Sequence, residues 1–145
     1  MLTLTERLAN TVPASDTLTL PYASRIRSRL RVRLDSGREA ALQLERGVVL
    51  HSGDRLAGPD GTVIEVRAAV ERVSTAHTDD RLLLARASYH LGNRHVPLQV
   101  TAAWVRYQHD HVLDAMLERL GLVVLGEMAP FQPEPGAYAG PGHSH

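Results

Sequence analysis

The hydrophobic period of the chain changes near Val70, and this change predicts two regions with different architectures. Before it, residues 29–34 alternate arginine with leucine and valine, a pattern typical of a half-buried strand. Asp35-Ser36-Gly37 predicts a turn, and residues 39–44 predict a second strand that forms a hairpin with the first. Residues 62–66 predict another strand after a Pro-Asp-Gly turn. Short strands at this spacing favour a small β-sandwich or barrel-like domain over residues 1–70.

After Val70, strand and helix patterns alternate. Residues 73–76 predict a strand, and Thr78 predicts the N-cap of a helix that continues to about His90. Gly92 or Asn93 could adopt the left-handed conformation that ends this helix, because both residue types tolerate a positive φ. This first half therefore predicts a β-α unit.

The second half of this region repeats the alternation and then loses it. Residues 96–100 and 104–108 predict strands, Asp110 predicts the cap of a second helix that ends at Gly121, and residues 122–125 predict a last strand. The order β-α-β-β-α-β is the ferredoxin-like pattern, which we expect over residues 71–132. Proline and glycine dominate afterwards, so residues 133–145 predict a flexible tail. The expected fold class is α+β.

Charge and composition exclude several classes of function. The chain of 145 residues has 16 arginines and lysines against 16 acidic residues, so no basic excess indicates a nucleic-acid partner. The longest apolar runs are too short to span a membrane. The first residues lack the pattern of a secretory signal, and the chain has no cysteine, so we expect a cytoplasmic protein.

Eight histidines and no cysteine make imidazole the candidate for metal chemistry. Imidazole suits zinc, copper, iron and nickel, whereas the missing thiolates argue against a closed structural zinc site. The spacing alone leaves bland alternatives open: a histidine that bonds a backbone carbonyl, a helix-end imidazolium at His90, and solvated histidines near the chain end. The six histidines after residue 80 are His90, His95, His109, His111, His143 and His145.

Three segments in the same order resemble the urease accessory protein UreE family. They are YHLGNRHVPLQ at residues 89–99, HDHVLDAMLERLGL at residues 109–122 and APFQPEPGAYAG at residues 129–140. The resemblance implies a metallochaperone, not an enzyme, that carries Ni(II) as cargo during urease maturation. It also implies a homodimer whose partners are the urease-maturation GTPase and the apo-urease activation complex. An open imidazole site would accept Zn(II) or Cu(II) as well.

The same resemblance assigns roles to individual histidines. It implies that His95 is a metal ligand at the dimer interface and that His109 and His111 form a second, peripheral site. His143 and His145 would add tail ligands, since the ten residues from Pro133 to His143 span at most about 33–36 Å. His109 and His111 would share a face in an extended segment but diverge in a helix, so their geometry stays open.

Two rival functions come from other classes. A metal-dependent hydrolase could use the histidine cluster, but no carboxylate is placed as a general base beside a paired histidine motif. A non-metal protein-interaction module would leave the histidines incidental. Metal titration combined with a substrate screen separates these rivals from a metal carrier.

Overall fold

The computed structural model describes residues 1–136. The chain folds into two compact units. The first unit comprises Met1–Ala69, and the second begins at Val70. The first unit is built mainly from strands and the second from strands and helices, with three helices in the described part of the chain, so the fold class is α+β. No helix within the described residues is long and apolar enough to cross a membrane.

The first unit contains two sheets. One has the strand order β1-β5-β4 and the other the order β2-β6-β7-β3, and a short helix α1 follows β3. The elements are β1 Leu2–Leu4, β2 Glu6–Leu8, β3 Asp16–Leu20, α1 Tyr22–Arg25, β4 Arg29–Arg33, β5 Glu39–Gln43, β6 Arg55–Ala57 and β7 Val63–Ala68.

The predicted hairpin in this unit is confirmed, whereas several strands escaped prediction. Strands β4 and β5 pair antiparallel with Leu30 opposite Leu42. Strands β1, β2 and β6 have three residues each, which is too short for an alternating pattern to emerge. Two of the pairings, β1 with β5 and β3 with β7, are parallel and join distant parts of the chain, which no local signal encodes.

Leucines from both sheets of the first unit share one hydrophobic core. Arg25 of the same unit is also buried, with 1% of the residue exposed. Its Nε donates to the Leu20 carbonyl oxygen at 3.1 Å, and its Nη1 donates to the Leu50 carbonyl oxygen at 3.2 Å. A buried guanidinium is tolerable here because backbone oxygens replace the water that it loses.

The second unit is one antiparallel sheet with two helices. Its strand order is β11-β8-β10-β9, and every neighbouring pair is antiparallel. Side chains from both helices and from the sheet form its core. The elements follow one another in the predicted order: β8 Val70–His77, α2 Arg81–Asn93, β9 Gln99–Val100, β10 Trp104–Gln108, α3 His111–Leu120 and β11 Val123–Pro130.

The start of α3 was predicted correctly, and that of α2 was not. The carboxylate of Asp110 caps α3, and Gly121 ends that helix at a φ of 112°. The N-cap of α2 is Asp80 rather than Thr78: the Asp80 carboxylate accepts from the amides of Leu82 and Leu83, while the Thr78 hydroxyl accepts from the Asp80 amide. A carboxylate two residues later therefore takes the capping position.

The end of α2 also differs from the prediction. The helix continues through Gly92 and Asn93, three residues past His90, so neither residue adopts the expected left-handed conformation. The apolar side chain of Leu91 is buried in the core, and this packing holds the last turn helical despite the glycine that follows. His90 lies in the last turn, as predicted.

Candidate metal centre

His95 follows directly after α2 and has an unusual backbone conformation. Its φ is 56°, which makes it the one non-glycine residue with a positive φ among residues 1–136. Its side chain is exposed. Histidine is one of the few residue types other than glycine that enter this region, together with asparagine and aspartate.

Two hydrogen bonds hold His95 in this conformation. Its amide donates to the Gly92 carbonyl oxygen at 3.0 Å, and the Val96 amide donates to the Leu91 carbonyl oxygen at 3.4 Å. Together they form the paired closure by which many helices end on a left-handed residue. Leu91 is buried and Val96 packs against the same core, so the backbone at His95 is set by the packing on either side of it.

The left-handed conformation has a cost for an L-residue. The clash of Cβ with the following carbonyl oxygen costs roughly 1–2 kcal/mol, which is why glycine is usual at this position. An exposed histidine at such a position gains nothing from burial that would offset this cost. Backbone strain of this kind is a common mark of functional sites.

His109 lies in the segment between β10 and α3 and is tied to its surroundings. Its amide donates to the Arg72 carbonyl oxygen at 3.2 Å. Its Nδ1 lies 3.2 Å from the Ser74 Oγ and 3.5 Å from the Asp114 Oδ2. The side chain remains 27% exposed, so the ring is held on one side and accessible to solvent on another.

Asp110 and His111 complete this junction. Asp110 acts as the helix cap: its Oδ1 accepts from the Val112 amide at 2.9 Å and from the Leu113 amide at 3.2 Å. Its backbone is extended, with a φ of −156° and a ψ of 112°. His111 is exposed and is the first residue of α3. The backbone between the two histidines is therefore extended, the alternative in which residues two apart share a face.

A buried polar network lies beneath His109. The Tyr107 hydroxyl donates to the Asp114 Oδ1 at 2.6 Å, and Tyr107 pairs with buried Ser74 across β10 and β8. Burial, and then the hydrogen bond to Asp114, raise the pKa of the Tyr107 phenol. The phenol therefore remains a donor, which keeps the Asp114 carboxylate as the acceptor.

Sequence reasoning missed this network. In the sequence, Tyr107 is one aromatic residue of a predicted strand, Ser74 has no motif around it, and Asp114 is an ordinary acidic residue near the start of a predicted helix. The pairing of β8 with β10 brings Ser74 next to a residue 33 positions away, and no local pattern signals this.

The segment that follows β11 is hydrogen-bonded to residues that come shortly after His95 in the sequence. Phe131 and Pro133 are buried, and the Gln132 amide donates to the Gln99 Oε1 at 3.1 Å. The Glu134 amide donates to the Leu98 carbonyl oxygen at 2.8 Å. The first residues of the predicted tail are thus bonded to Leu98, which lies three positions after His95 in the sequence.

The tail histidines His143 and His145 lie outside the described residues, so their placement stays a prediction. His143 lies nine positions after Glu134, a stretch of chain that spans at most about 30–32 Å. Because Glu134 is bonded to Leu98, this stretch begins at the loop between α2 and β9, which also contains His95.

The described histidines do not gather into one site within a single chain. Among residues 1–136, no three histidine, aspartate or glutamate side chains form a cluster that could hold a metal ion. His90 is exposed, and its ring contacts the Tyr89 ring edge-on at 5.4 Å. The end of α2 and the start of α3 thus each supply imidazole nitrogens, and a metal ion bound at either place would need further ligands from outside it.

Comparison with known proteins covers the whole chain. Residues 4–69 match the family described as UreE urease accessory protein, N-terminal domain, and residues 71–145 match its C-terminal domain. A urease accessory protein UreE from Alkalilimnicola ehrlichii is 61% identical over 140 residues, which cover 97% of this chain and 86% of that protein. The protein of the same name from Pseudomonas putida strain GB-1 is 58% identical and covers 100% of this chain and 90% of its own length. One from Enterobacter sp. strain 638 is 52% identical, with 99% and 95% covered.

Proposed function

The chain belongs to the UreE urease accessory protein family, and we propose that it delivers Ni(II) during maturation of the urease active site. The family role is accessory to urease maturation. We propose further that the chain binds and transfers the ion and catalyses no reaction itself. Ni(II) is then its cargo, which it must bind firmly enough to carry and loosely enough to release.

The observation that carries this proposal is the conformation of His95. An exposed imidazole occupies a left-handed helix end at which glycine would be less strained. A role for the imidazole nitrogen in binding a metal ion would explain why histidine and not glycine stands at this position. Nickel, copper and zinc are the metals for which imidazole is a suitable donor.

One exposed histidine per chain becomes two ligands when two chains associate about a two-fold axis. We propose that the protein is a homodimer in which both His95 rings bind one Ni(II) ion. Two imidazoles leave coordination positions open for water, for His143 or His145, or for a partner's ligands. That openness suits transfer, and it also admits Zn(II) and Cu(II), with Cu(II) bound more tightly than Ni(II).

A second, weaker site is proposed at His109 and His111. The extended backbone of Asp110 between them supports a shared ion, and the exposure of His111 leaves it accessible. Asp110 caps α3 through its Oδ1. This structural role accounts for the aspartate at this position, so we do not assign it as a metal ligand.

We propose that the two units have different functions. The strand order β11-β8-β10-β9 supports a ferredoxin-like metal-binding and dimerisation domain over residues 71–132. The core shared by two sheets supports a small β-sandwich or barrel-like domain over residues 1–70, which would bind partner proteins. The proposed partners are the urease-maturation GTPase and the apo-urease activation complex, in the cytoplasm.

Calorimetric titration with Ni(II) tests the proposal on the full chain and on the variant His95→Gly. Glycine is preferred to alanine because it keeps the left-handed helix end without strain. We expect the tightest site to disappear, because removing only a group that supports a ligand already costs about 10–100-fold in metal affinity and this variant removes the ligand itself. His90→Gln is the matched control, since His90 is also exposed and lies five residues earlier.

Tight binding that persists in His95→Gly, or that His90→Gln also removes, would contradict the role of His95. Absence of stoichiometric nickel binding by the wild-type chain would instead favour the protein-interaction module. Turnover in a substrate screen of the metal-loaded protein would favour the hydrolase. Sedimentation of the wild-type chain as a monomer would exclude the shared site.

A further inference from the structure

We propose that Asp114 is a positioning residue for His109, holding the ring so that its Nε2 lone pair is presented to the metal. The inference rests on the proposed function for its metal and extends it to a residue outside the ligand set. It starts from the 3.5 Å approach of the Asp114 Oδ2 to the His109 Nδ1.

The chemistry of a carboxylate determines which ring nitrogen carries the proton. An ionised carboxylate only accepts hydrogen bonds, so the Asp114 Oδ2 at 3.5 Å favours the tautomer in which the His109 Nδ1 carries the proton. In a neutral imidazole the other nitrogen, Nε2, then has the free lone pair. Metal-bound histidines commonly have this arrangement, with the second nitrogen donating to a carboxylate.

The Asp114 carboxylate is itself held in place. Its Oδ1 accepts from the buried Tyr107 hydroxyl at 2.6 Å, which leaves Oδ2 for His109. Asp114 also lies in the first turn of α3, where the helix dipole favours a negative charge. The carboxylate is therefore oriented before any metal arrives.

Ser74 supports the ring from the neighbouring strand. Its Oγ is 3.2 Å from the His109 Nδ1, and its side chain is completely buried. A hydroxyl can accept as well as donate, so it is compatible with the Nδ1 proton that Asp114 favours. Asp114 thus favours the Nδ1 tautomer and Ser74 does not oppose it, while 27% of the His109 side chain stays open to solvent.

The first test measures the tautomer of His109 in the metal-free protein by nitrogen-15 NMR at pH 8, with His109→Ala to assign the signal. We expect the wild-type ring to carry its proton on Nδ1. In Asp114→Asn, the amide can still accept from Tyr107 but turns a donor towards Nδ1, so the proton should move to Nε2. A wild-type ring protonated on Nε2 would overturn the proposal without any variant.

The second test measures Ni(II) binding in the His95→Gly background, where only the weaker site remains. We expect Asp114→Asn to weaken that binding by about 10–100-fold, the usual effect of removing a group that orients a metal ligand. Glu118→Gln is the matched control, because it removes one exposed negative charge one turn further along α3. Far-UV circular dichroism and melting curves establish that each variant is folded.

The outcomes separate the two proposals. If Asp114→Asn matches Glu118→Gln in both the tautomer and the affinity, the positioning role is wrong and nickel delivery stands. If the wild-type chain binds no nickel, the proposed function fails, and the tautomer measurement still decides whether Asp114 orients His109.

Discussion

The two helices of the second unit end in the same way but on different residues. At the end of α3, the Gly121 amide donates to the Glu118 carbonyl oxygen at 3.0 Å, and the Leu122 amide donates to the Leu117 carbonyl oxygen at 3.1 Å. At the end of α2, the corresponding bonds to His95 and Val96 are 3.0 Å and 3.4 Å long. Gly121 and His95 therefore occupy equivalent positions in the two halves of the unit.

The difference between these positions is informative because the backbone demands are alike. Gly121 has a φ of 112° and His95 has a φ of 56°, both in the region that favours glycine. At Gly121 the residue type agrees with the backbone. At His95 it does not, and this contrast supports a role for the imidazole that the fold itself does not require.

The largest effect on stability is expected at Gly121. Gly121→Ala should lower the free energy of unfolding by about 1–2 kcal/mol, because an added Cβ is strained at this φ. That Cβ would meet the Leu83 Cδ2 at 3.4 Å, an ordinary van der Waals contact, so the cost comes from the backbone conformation and not from a clash. Urea unfolding measures the change, and an unaltered midpoint would contradict the equivalence of the two helix ends.

A smaller effect is expected when the tail is shortened. Deleting residues 142–145 should weaken nickel binding by about tenfold, since a tethered ligand acts at an effective concentration on the order of mM. The tail histidines are expected to serve the α2 end because the chain before them is anchored at Leu98. Nickel titrations of both forms measure this.

The pH dependence provides the control for the same deletion. Protons compete with metal for imidazole nitrogens below about pH 6.5, so the form with more histidine ligands should lose affinity more steeply with acid. Identical affinities and identical pH slopes for the two forms would show that the tail does not bind the ion.

The smallest effect is expected for the stability of the His95 variants. His95→Gly should raise the free energy of unfolding by up to about 1 kcal/mol, because it removes the strain of a left-handed L-residue. His95→Ala keeps a Cβ and should bring no such gain. Thermal melting of the metal-free proteins compares them, and a gain for alanine equal to that for glycine would show that the backbone at His95 is not strained.

Local patterns predicted those features that few residues determine. The alternation in residues 29–34 gave the hairpin because a half-buried strand exposes every second side chain. Asp110 and Gly121 were predicted as the ends of α3, since a cap carboxylate and a left-handed glycine act within one turn. The end of α2 was misplaced because burial of Leu91 outweighed the glycine that follows it.

The histidine pattern, the absence of cysteine and the three family-like segments are properties of the sequence alone. They indicate imidazole chemistry and the family, because residue types and spacing are written along the chain. The strain at His95, the contact of Asp114 with His109 and the anchoring of Glu134 at Leu98 arise only when distant strands pair and helices pack. These features depend on distances through space, which a local pattern in one sequence does not encode.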